Sequence, residues 1–501
     1  MRINKVIIQD FKNLKDFEIN FDKSKMKTVL LGQNASGKSN FIEAVLLIFK
    51  FLDLSTSNKR DFPLFSYTIN YEIKNNIINI NCDHENKNYK ININNNSKDE
   101  TYKNFFSDES KKIFQPKYVF TYYSGLSNRL KEHFWDHQEK FYEKIIDKNF
   151  NDKELDSLRK LFYVQLVHSY FVLLAYFSFE EEEKESIQFL SEVLNIKDIE
   201  SILFILKKPT WGDRDKDNPN DRFWNANGLV RNFLNFLWEN SLAPIYHQEP
   251  IKTDFREETK QDRLYLYISS KEKLKKLANN YKSNTEFFKA LESTYISKLM
   301  EEVRIKVKKE NTDGSITFKE LSEGEQQLLT VLGLLKFTKD EDSLILLDEP
   351  DTHLNPLWKW QYFEFLDKVV KNHNSTQIII NTHDPLVIGN LTKEEVRIFK
   401  NINGIIETVE PDIDPRGLGV AGILTSELFG LSTTLDPYTM SLINEKMEIT
   451  IIDRKLTEKE RERLKDINNE LESFGLNYDK RFPDIEECLK EKFKKRSKIK
   501  S

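Results

Sequence analysis

Two acidic residues follow an apolar run, where carboxylates can act on a bound cation or on water. Residues 344–347 read LILL, Asp348 and Glu349 come next, and Pro350 ends the segment. Such a run is typical of a parallel strand covered on both faces, and open α/β sheets bind ligands at the carboxyl ends of these strands. The sequence predicts that Asp348 holds a divalent cation through water and that Glu349 orients or deprotonates an attacking water.

A glycine-rich loop near the N-terminus has the residue types that bind phosphate. Residues 32–39 read GQNASGKS, which matches G-x-x-x-x-G-K-[ST], between a short apolar strand (28–31) and an apolar helix (40–51). In this context Lys38 is expected to reach the β- and γ-phosphates and Ser39 to ligate Mg²⁺, so the ligands are ATP and Mg²⁺. The residues predicted to bind the nucleotide here are Gly32, Asn34, Ala35, Ser36, Gly37, Lys38, Ser39 and Asn40.

A second phrase lies one helix before the acidic strand. Residues 321–326, LSEGEQ, precede a leucine-rich helix predicted over 326–337. The phrase resembles the signature of ATP-binding-cassette (ABC) ATPases, in which one subunit closes over ATP held by the other. The resemblance implies that Ser322, Gly324 and Glu325 contact ATP bound to a second copy of the chain, so that a homo-oligomer is built on ATP-sandwich dimers.

The family resemblance extends to both ends of the nucleotide region. Residues 10–14, DFKNL, resemble the opening phrase of the ATPases grouped with RecF, the SMC proteins and the OLD-type ATPases, which implies that Lys12 approaches the nucleotide. His383 follows a buried strand at 377–381, where such ATPases place a histidine on the γ-phosphate, so it is expected to be catalytic. Glu323 stands where transporters usually have glycine, a form familiar in OLD-like ATPases, and it argues against a transport subunit.

These residues need an α/β scaffold to bring them together. The fold class predicted is an ABC-type P-loop nucleotide-binding domain with a helical insertion and a C-terminal helical extension. Residues 1–125 and 301–410 are predicted to form the ATPase domain, and 126–300 a mostly helical insertion. Residues 411–501 are predicted to be an oligomerisation or partner-binding region.

Within these regions, helices are predicted at 155–179, 456–474 and 485–493, a strand at 264–268 and a basic tail at 490–500.

Three other features leave alternatives open. Gln115 could be the glutamine that touches Mg²⁺-bound water in such ATPases, but it precedes a predicted strand (117–123) instead of following it. His133 and His137 have the i, i+4 spacing of a metal pair, although a surface or interface pair is favoured because no third ligand is evident. The aromatic and basic residues of 211–224 could stack on nucleic acid or simply anchor a loop.

Composition limits the compartment and the partners. The chain has 501 residues, of which 39% are hydrophobic and 31% charged, and its net charge of −5 gives no global basic field for DNA or RNA. Two cysteines make no disulfide framework and fit a reducing cytosol. The apolar run 170–179 is about half the length of a bilayer span, and no secretory signal opens the chain, so a cytoplasmic protein without a membrane segment is expected.

A narrower resemblance suggests a biological setting. The phrases at 121–129, 161–163 and 417–431 resemble PtuA-type ATPases, found in Septu antiphage systems and beside some retrons. That resemblance implies a partner nuclease of the HNH type, PtuB-like, whose cleavage ATP would control. A self-contained OLD-type nuclease is one alternative, with Asp412 and Asp414 as the only tempting acidic pair. An SMC- or RecF-like repair ATPase is the other, and the absence of sustained heptads counts against it.

Overall fold

The computed structural model describes residues 1–125, 127, 129–145, 160–212, 221–252, 258–310, 315–336, 342–370 and 375–476. The chain divides into two compact units, one of residues 1–423 with 427–429 and the other of 424–426 with residues from 430 onward. The domain boundaries predicted after residues 125, 300 and 410 stay predictions. In the described residues no helix is both long and apolar enough to cross a bilayer.

Strands and helices alternate along the described chain. The strands are β1 (Arg2–Phe11), β2 (Leu14–Asn20), β3 (Lys27–Gly32), β4 (Tyr67–Ile73), β5 (Asn76–Asp83), β6 (Asn88–Ile93), β7 (Tyr118–Tyr123), β8 (Leu161–Tyr163), β9 (Ile196–Lys207), β10 (Leu242–Lys252), β11 (Glu258–Ile268), β12 (Met300–Lys309), β13 (Ser315–Thr317), β14 (Ser343–Asp348), β15 (Thr376–Asn381), β16 (Val396–Ile402) and β17 (Ile405–Val409). The helices are α1 (Lys38–Leu54), α2 (Tyr102–Phe105), α3 (Asp108–Phe114), α4 (Trp135–Ile145), α5 (Val167–Ser178), α6 (Lys184–Val193), α7 (Gly228–Asn240), α8 (Lys271–Ala278), α9 (Asn284–Ile296), α10 (Glu323–Lys336), α11 (Pro356–Val369), α12 (Pro385–Ile388), α13 (Gly419–Thr425), α14 (Pro437–Thr450) and α15 (Glu458–Ser473).

A seven-stranded sheet positions the site, with strand order β17-β16-β3-β15-β14-β7-β8. All its pairings are parallel except that of β16 with β17. Successive residues of β14 face opposite hydrophobic clusters: Leu344 and Leu346 face one, and Ile345 and Leu347 the other. Because both faces are covered, the strand is apolar throughout, as the LILL run predicted.

The carboxyl ends of three strands meet at one edge of this sheet. In the register, Asp348 of β14 stands beside Asn381 of β15, and Asn381 stands beside Leu30, two residues before the end of β3. The phosphate-binding loop, the acidic pair and the segment that leads to His383 therefore leave the sheet at the same edge. This is the edge at which open α/β sheets bind ligands.

Two five-stranded sheets accompany the central one. The first has the order β2-β1-β4-β5-β6 and consists of antiparallel neighbours, which the alternating apolar residues of that region favour. The second has the order β10-β11-β9-β12-β13 and lies mainly in the predicted insertion. Of its strands, β11 contains the predicted strand 264–268, whereas β9 and β10 have no counterpart in the prediction.

The predicted helix 155–179 is partly wrong. Residues 155–159 lie outside the described residues, and 161–163 form β8, which pairs in parallel with β7. Three bulky side chains, Leu161, Phe162 and Tyr163, are buried there, so pairing at the sheet edge prevails over helix formation. From Val167 to Ser178 the chain is the buried helix that the all-round apolar pattern predicted.

The second compact unit contains a pair of helices, α14 and α15. Leu442 and Ile443 of α14 form a small core with Ile467 and Leu471 of α15. The helix predicted at 456–474 is confirmed as α15, which begins after Thr457 with a capping box closed by Glu460. The helix predicted at 485–493 and the basic tail at 490–500 lie outside the described residues.

Candidate nucleotide-binding site

The glycine-rich loop connects β3 to α1, as its sequence context predicted. Gly32 has φ 144°, and a Cβ added there would lie 2.5 Å from the carbonyl oxygen of Phe399, so only glycine fits. Lys38 lies over the loop, where its ammonium donates to the carbonyl oxygens of Gly32 at 2.8 Å and Gln33 at 3.0 Å. Burial lowers the pKa of Lys38 to about 8, although the charges of Asp348 and Glu349 oppose this shift. The ammonium therefore stands where phosphate oxygens could replace its backbone partners.

Ser39 and Asp348 meet at the sheet edge, and a third residue joins them. The Ser39 hydroxyl donates to Oδ1 of Asp348 at 3.1 Å. The Asn381 amide donates to the same Oδ1, and to the Ser39 oxygen at 3.3 Å. Sequence reasoning missed Asn381, although its place at the end of the strand next to β14 was a usable signal.

The second carboxylate oxygen of Asp348 makes Ser39 and Asp348 together suitable for binding a cation. Oδ2 is buried and has no hydrogen-bond partner among the described residues. Burial raises the pKa of the Asp348 carboxyl, since an ion there lacks solvation. A hydroxyl and a carboxylate are hard oxygen ligands of the kind that Mg²⁺ accepts together with water and phosphate. The residues present therefore fit Mg²⁺, which Ser39 and Asp348 would hold.

Glu349 and His383 face each other beside this cation site. Glu349 has φ 54°, and its N–H donates to the carbonyl of Asn381 at 2.9 Å, which turns its side chain away from the strand. Its Oε1 lies 3.4 Å from Nε2 of His383, and both side chains are partly exposed. Burial, together with the charge of Lys38, lowers the pKa of His383 to about 4. At neutral pH His383 is thus an uncharged imidazole that lies beside the Glu349 side chain.

Lys12 lies near the loop but binds a carboxylate of the protein. Its ammonium is 2.6 Å from Oε2 of Glu43 on α1, and its neighbour Asn13 donates to the carbonyl of Ala35 in the loop at 2.9 Å. Glu43 was not singled out from the sequence. Its spacing from Ser39, four residues along the same helix, places both on one face of α1.

Ser322, Gly324 and Glu325 form a separate corner at the start of α10. The Ser322 N–H and hydroxyl donate to Oε2 of Glu325 at 2.8 and 3.0 Å, and Lys309 pairs with Oε1 at 2.6 Å. A Cβ on Gly324 would lie 2.5 Å from the carbonyl oxygen of His353, in the loop that follows the acidic pair. The described contacts of this corner are therefore with its own surroundings and not with the phosphate-binding loop of the same chain.

Gln115 cannot serve the cation, which corrects that alternative. It precedes β7, whose first residue Tyr118 pairs with Ser343 at the start of β14, so it lies at the opposite edge of the sheet from Asp348. Gln115 is buried, donates to the carbonyl of Leu52 at 3.1 Å and accepts from Lys160 at 3.2 Å. Its role is structural.

The paired histidines bind different carboxylates at the contact of the α4 region with α1. His133 Nε2 is 3.1 Å from Glu43, and His137 Nε2 is 2.9 Å from Asp53. Among the described residues, no three His, Cys, Asp or Glu side chains are grouped so that they could hold a metal. The interface interpretation agrees with these contacts, and the metal-pair alternative does not.

The described residues of the aromatic segment near 211–224 are packed into the protein. Trp211 is buried, and its indole N–H donates to the carbonyl of Ser297 at 2.8 Å. Phe223 is fully buried, while residues 213–220 lie outside the described residues. These contacts favour the loop-anchor interpretation over base stacking.

Comparison with known proteins gives one family match and several partial similarities. The sequence profile of the family described as "AAA ATPase domain" matches residues 1–388. The chain is 25% identical to the Septu protein PtuA of Bacillus mycoides over 136 residues, 27% of this chain and 18% of that protein. It is 30% identical to the "Retron Vc95 probable ATPase" of Vibrio cholerae over 81 residues, 16% of this chain and 15% of that protein. The matched segments thus span less than a fifth of either curated relative.

A solved structure aligns more widely and more loosely. The SMC head domain from Thermotoga maritima is 13% identical, with 82% of this chain and 100% of that chain covered at a TM-score of 0.33. A TM-score this low carries no argument about the site.

Proposed function

This chain belongs to the AAA ATPase domain family, and from that premise we propose that it binds ATP with Mg²⁺ at the sheet edge and hydrolyses it. The observation that carries the proposal is the cluster of Ser39, Asp348 and Asn381, with one buried carboxylate oxygen free, beside Lys38. Ser39 and Asp348 would hold the cation, whose charge would neutralise negative charge that develops on the phosphates in the transition state.

Each remaining side chain has a role in this reaction. Lys38 would exchange its loop carbonyls for β- and γ-phosphate oxygens. Glu349 would orient the attacking water and accept its proton, since its carboxylate is partly exposed beside the cation site. His383, uncharged at neutral pH, would donate a hydrogen bond to the γ-phosphate.

The site is proposed to be shared between two copies. Ser322 and Gly324 stand at the N-terminus of α10, where the helix dipole favours an anion. Ser322 is exposed, so this corner is accessible to the triphosphate of a second copy. ATP bound between two copies would stabilise the closed dimer, and hydrolysis would release it.

The biological role proposed is control of a partner nuclease in antiphage defence. Its support is the similarity to the Septu protein PtuA and to the retron Vc95 protein. In this proposal an HNH-type nuclease, PtuB-like, makes the cuts, and the ATPase acts in the cytoplasm, where a free buried thiol such as Cys82 stays reduced. A nuclease built into this chain has less support, because Oδ1 of Asp414 accepts from the backbone N–H of Lys393 at 2.8 Å and so makes a structural contact.

Phosphate release by the purified full-length chain tests the enzymatic part. Wild type should hydrolyse ATP only with Mg²⁺, and Lys38→Ala should lose ATP binding. Glu349→Gln should bind ATP, but its turnover should be slower than wild type by a factor of at least about 100, because a general base contributes at least that factor. Glu364→Gln, an exposed glutamate of α11 away from the site, is the matched control. Tight ATP binding by Lys38→Ala would refute the phosphate-loop assignment.

Co-purification from the native operon tests the regulatory part. A tagged chain should retain a nuclease, and the cleavage rate of that complex should differ between ATP-loaded Glu349→Gln and nucleotide-free Lys38→Ala. Equal cleavage by the two complexes would remove nucleotide control from the proposal.

A further inference from the structure

A buried carboxylate beside the phosphate-binding loop has three basic side chains as partners. The Glu43 side chain is 5% exposed, and it accepts from Lys12 at 2.6 Å, from Arg129 Nε at 2.5 Å and from His133 Nε2 at 3.1 Å. Burial raises the pKa of Glu43, but the hydrogen bonds from His133, Lys12 and Arg129 outweigh it and lower the pKa to about 2. Glu43 is therefore ionised, and it fixes the guanidinium of Arg129 in one place.

From that place Arg129 reaches the loop through two asparagines. Its Nη2 donates to Oδ1 of Asn40, and the Asn40 amide donates to Oδ1 of Asn13 at 2.5 Å. The Asn13 amide in turn donates to the carbonyl oxygen of Ala35 at 2.9 Å. The four residues form one chain of hydrogen bonds that runs from Arg129 to the backbone of the phosphate-binding loop.

The last link holds a peptide that needs support. Ala35 has φ 62°, a left-handed conformation that costs free energy for a residue with a Cβ and persists only where neighbours impose it. The loop binds phosphate through backbone N–H groups, so the orientation of this peptide affects where those groups point. A relay that fixes the Ala35 carbonyl thereby favours the phosphate-binding form of the loop.

The first link lies at the entrance to the predicted insertion. Arg129 follows β7, whose exit is tied to the acidic strand because the Ser124 N–H donates to the carbonyl of Asp348 at 3.2 Å. Its side chain is 28% exposed, so it lies at the surface of the site and not in a sealed core. A change in the segment after β7 would therefore reach the loop through Arg129.

We propose that Arg129 is a positioning residue for ATP binding, which acts through Asn40 and Asn13 on the Ala35 peptide and so couples the start of the insertion to the nucleotide site. This inference rests on the proposed function, because it assumes that the loop binds ATP. It differs from a simple anchoring role, in which Arg129 would only attach the insertion to α1.

A second ion pair in the same region supplies the matched control. Lys50 of α1 and Asp136 of α4 pair at 2.6 Å, further along the helix from the loop. Asp136→Asn breaks a charged contact of this region with α1 but leaves the relay intact. If Arg129 only anchors the insertion, Arg129→Gln and Asp136→Asn should have the same effect on ATP binding.

The full-length chain is titrated with fluorescent methylanthraniloyl-ATP in the presence of Mg²⁺, which gives Kd. Steady-state hydrolysis of ATP gives KM and kcat. Arg129→Gln should raise Kd and KM about tenfold, the usual effect of losing a hydrogen bond to a charged group, with kcat at saturation within about threefold of wild type. Asn13→Ala should give a similar increase, and Asp136→Asn less than about a twofold increase. Arg129→Lys keeps the charge but not the fork of donors, so its Kd should fall between those of wild type and Arg129→Gln.

Combining the two lesions separates a relay from two independent contacts. The double variant Arg129→Gln/Asn13→Ala should bind ATP no more than about twofold more weakly than the weaker single variant, because each change breaks the same chain. The proposal would be overturned if the increases in Kd of the two single variants multiplied in the double variant. It would also be overturned if Arg129→Gln and Asp136→Asn had the same Kd. Unchanged ATP affinity in Lys38→Ala would instead overturn the assignment of the site itself.

Discussion

At the scale of single residues, Asn381 is the side chain that joins the cation site to the neighbouring strand. It is 1% exposed, and its amide donates to both Ser39 and Asp348. These bonds occupy one oxygen of Asp348 and leave the other free for a cation. Residues in this position orient the metal ligands without touching the metal.

Asn381→Leu removes both donors at nearly constant volume. We expect the Mg²⁺ concentration for half-maximal ATPase activity to rise about 10- to 100-fold, because Asp348 loses its orienting partner. The measurement is a Mg²⁺ titration of phosphate release at saturating ATP. Thr376→Val, a near-isosteric change at the other end of β15, is the control and should leave that value unchanged. An unaltered Mg²⁺ requirement in Asn381→Leu would contradict the role given to Asn381.

Asp351 provides a pH-dependent prediction at the same scale. Burial raises its pKa to about 6, although the Thr382 hydroxyl donates to Oδ2 at 2.9 Å and opposes the rise. The pKa of this carboxyl is higher in the folded than in the unfolded protein. Its contribution to the stability of the protein is therefore lost as the pH rises from about 4 to about 6.

Asp351→Asn keeps the acceptor and removes the charge. The variant should therefore have a free energy of unfolding up to about 3 kcal/mol higher than that of wild type at pH 7.5, and unfold at a higher temperature; both differences should shrink as the pH approaches 4. Thermal unfolding followed by circular dichroism over this pH range measures the difference. An advantage that stays constant from pH 4 to pH 7.5 would exclude titration of Asp351 as its cause.

At the scale of elements, the start of α10 is fixed by a few side chains. Ser322 and Glu325 form a reciprocal cap, and Lys309 of β12 holds the Glu325 carboxylate. Gly324 allows the backbone of His353 to approach closely. The corner proposed to meet a second ATP is therefore shaped by its cap, by β12 and by the loop after β14.

Glu325→Ala should lower the stability of the chain by about 1 kcal/mol, since it removes a helix cap and a partly buried ion pair. Glu323→Ala is the control, because the Glu323 side chain is 83% exposed and contributes only a surface contact with His353. Midpoints of thermal unfolding compare the two. Equal midpoints for both variants would show that the cap does not stabilise α10.

The elements also show which parts of the fold were predictable. The alternation near the N-terminus has the two-residue period of a strand, and the short run 344–347 is identified as a strand by its length and flanking residues. The all-round apolar pattern of α5 is typical of a buried helix. The strand β9, IKDIESILFILK, instead has apolar residues at helix-like spacings, and it is extended because β11 and β12 pair with its two edges. The mostly exposed β10 contains two prolines, and its strand form depends on pairing with β11.

The same distinction applies to the site. Lys38, Ser39, Asp348 and Glu349 belong to local motifs with fixed spacing, so the sequence placed them. Asn381, Glu43 and Arg129 act through contacts between distant segments, for example 86 positions apart for Arg129 and Glu43. The strand-end position of Asn381 and the four-residue spacing of Glu43 from Ser39 were local signals, but neither identifies the distant partner, and Arg129 has no such signal.

At the scale of the whole molecule, the proposed site requires two copies of the chain. One copy would provide the loop with Lys38, and the other would provide the corner with Ser322, whose described partners within its own chain lie elsewhere. A dimer of this kind has twofold symmetry and two equivalent sites. Each site is then complete only when both copies contribute intact residues.

Mixing two inactive variants tests this claim most directly. Lys38→Ala should lose ATP binding and Ser322→Arg should block hydrolysis in trans, so each protein alone should release almost no phosphate. In an equal mixture half of the dimers are mixed, and each mixed dimer has one intact site, so activity should recover to about a quarter of wild type. Full activity of Ser322→Arg alone, or a mixture no more active than its separate components at every protein concentration, would contradict the shared site.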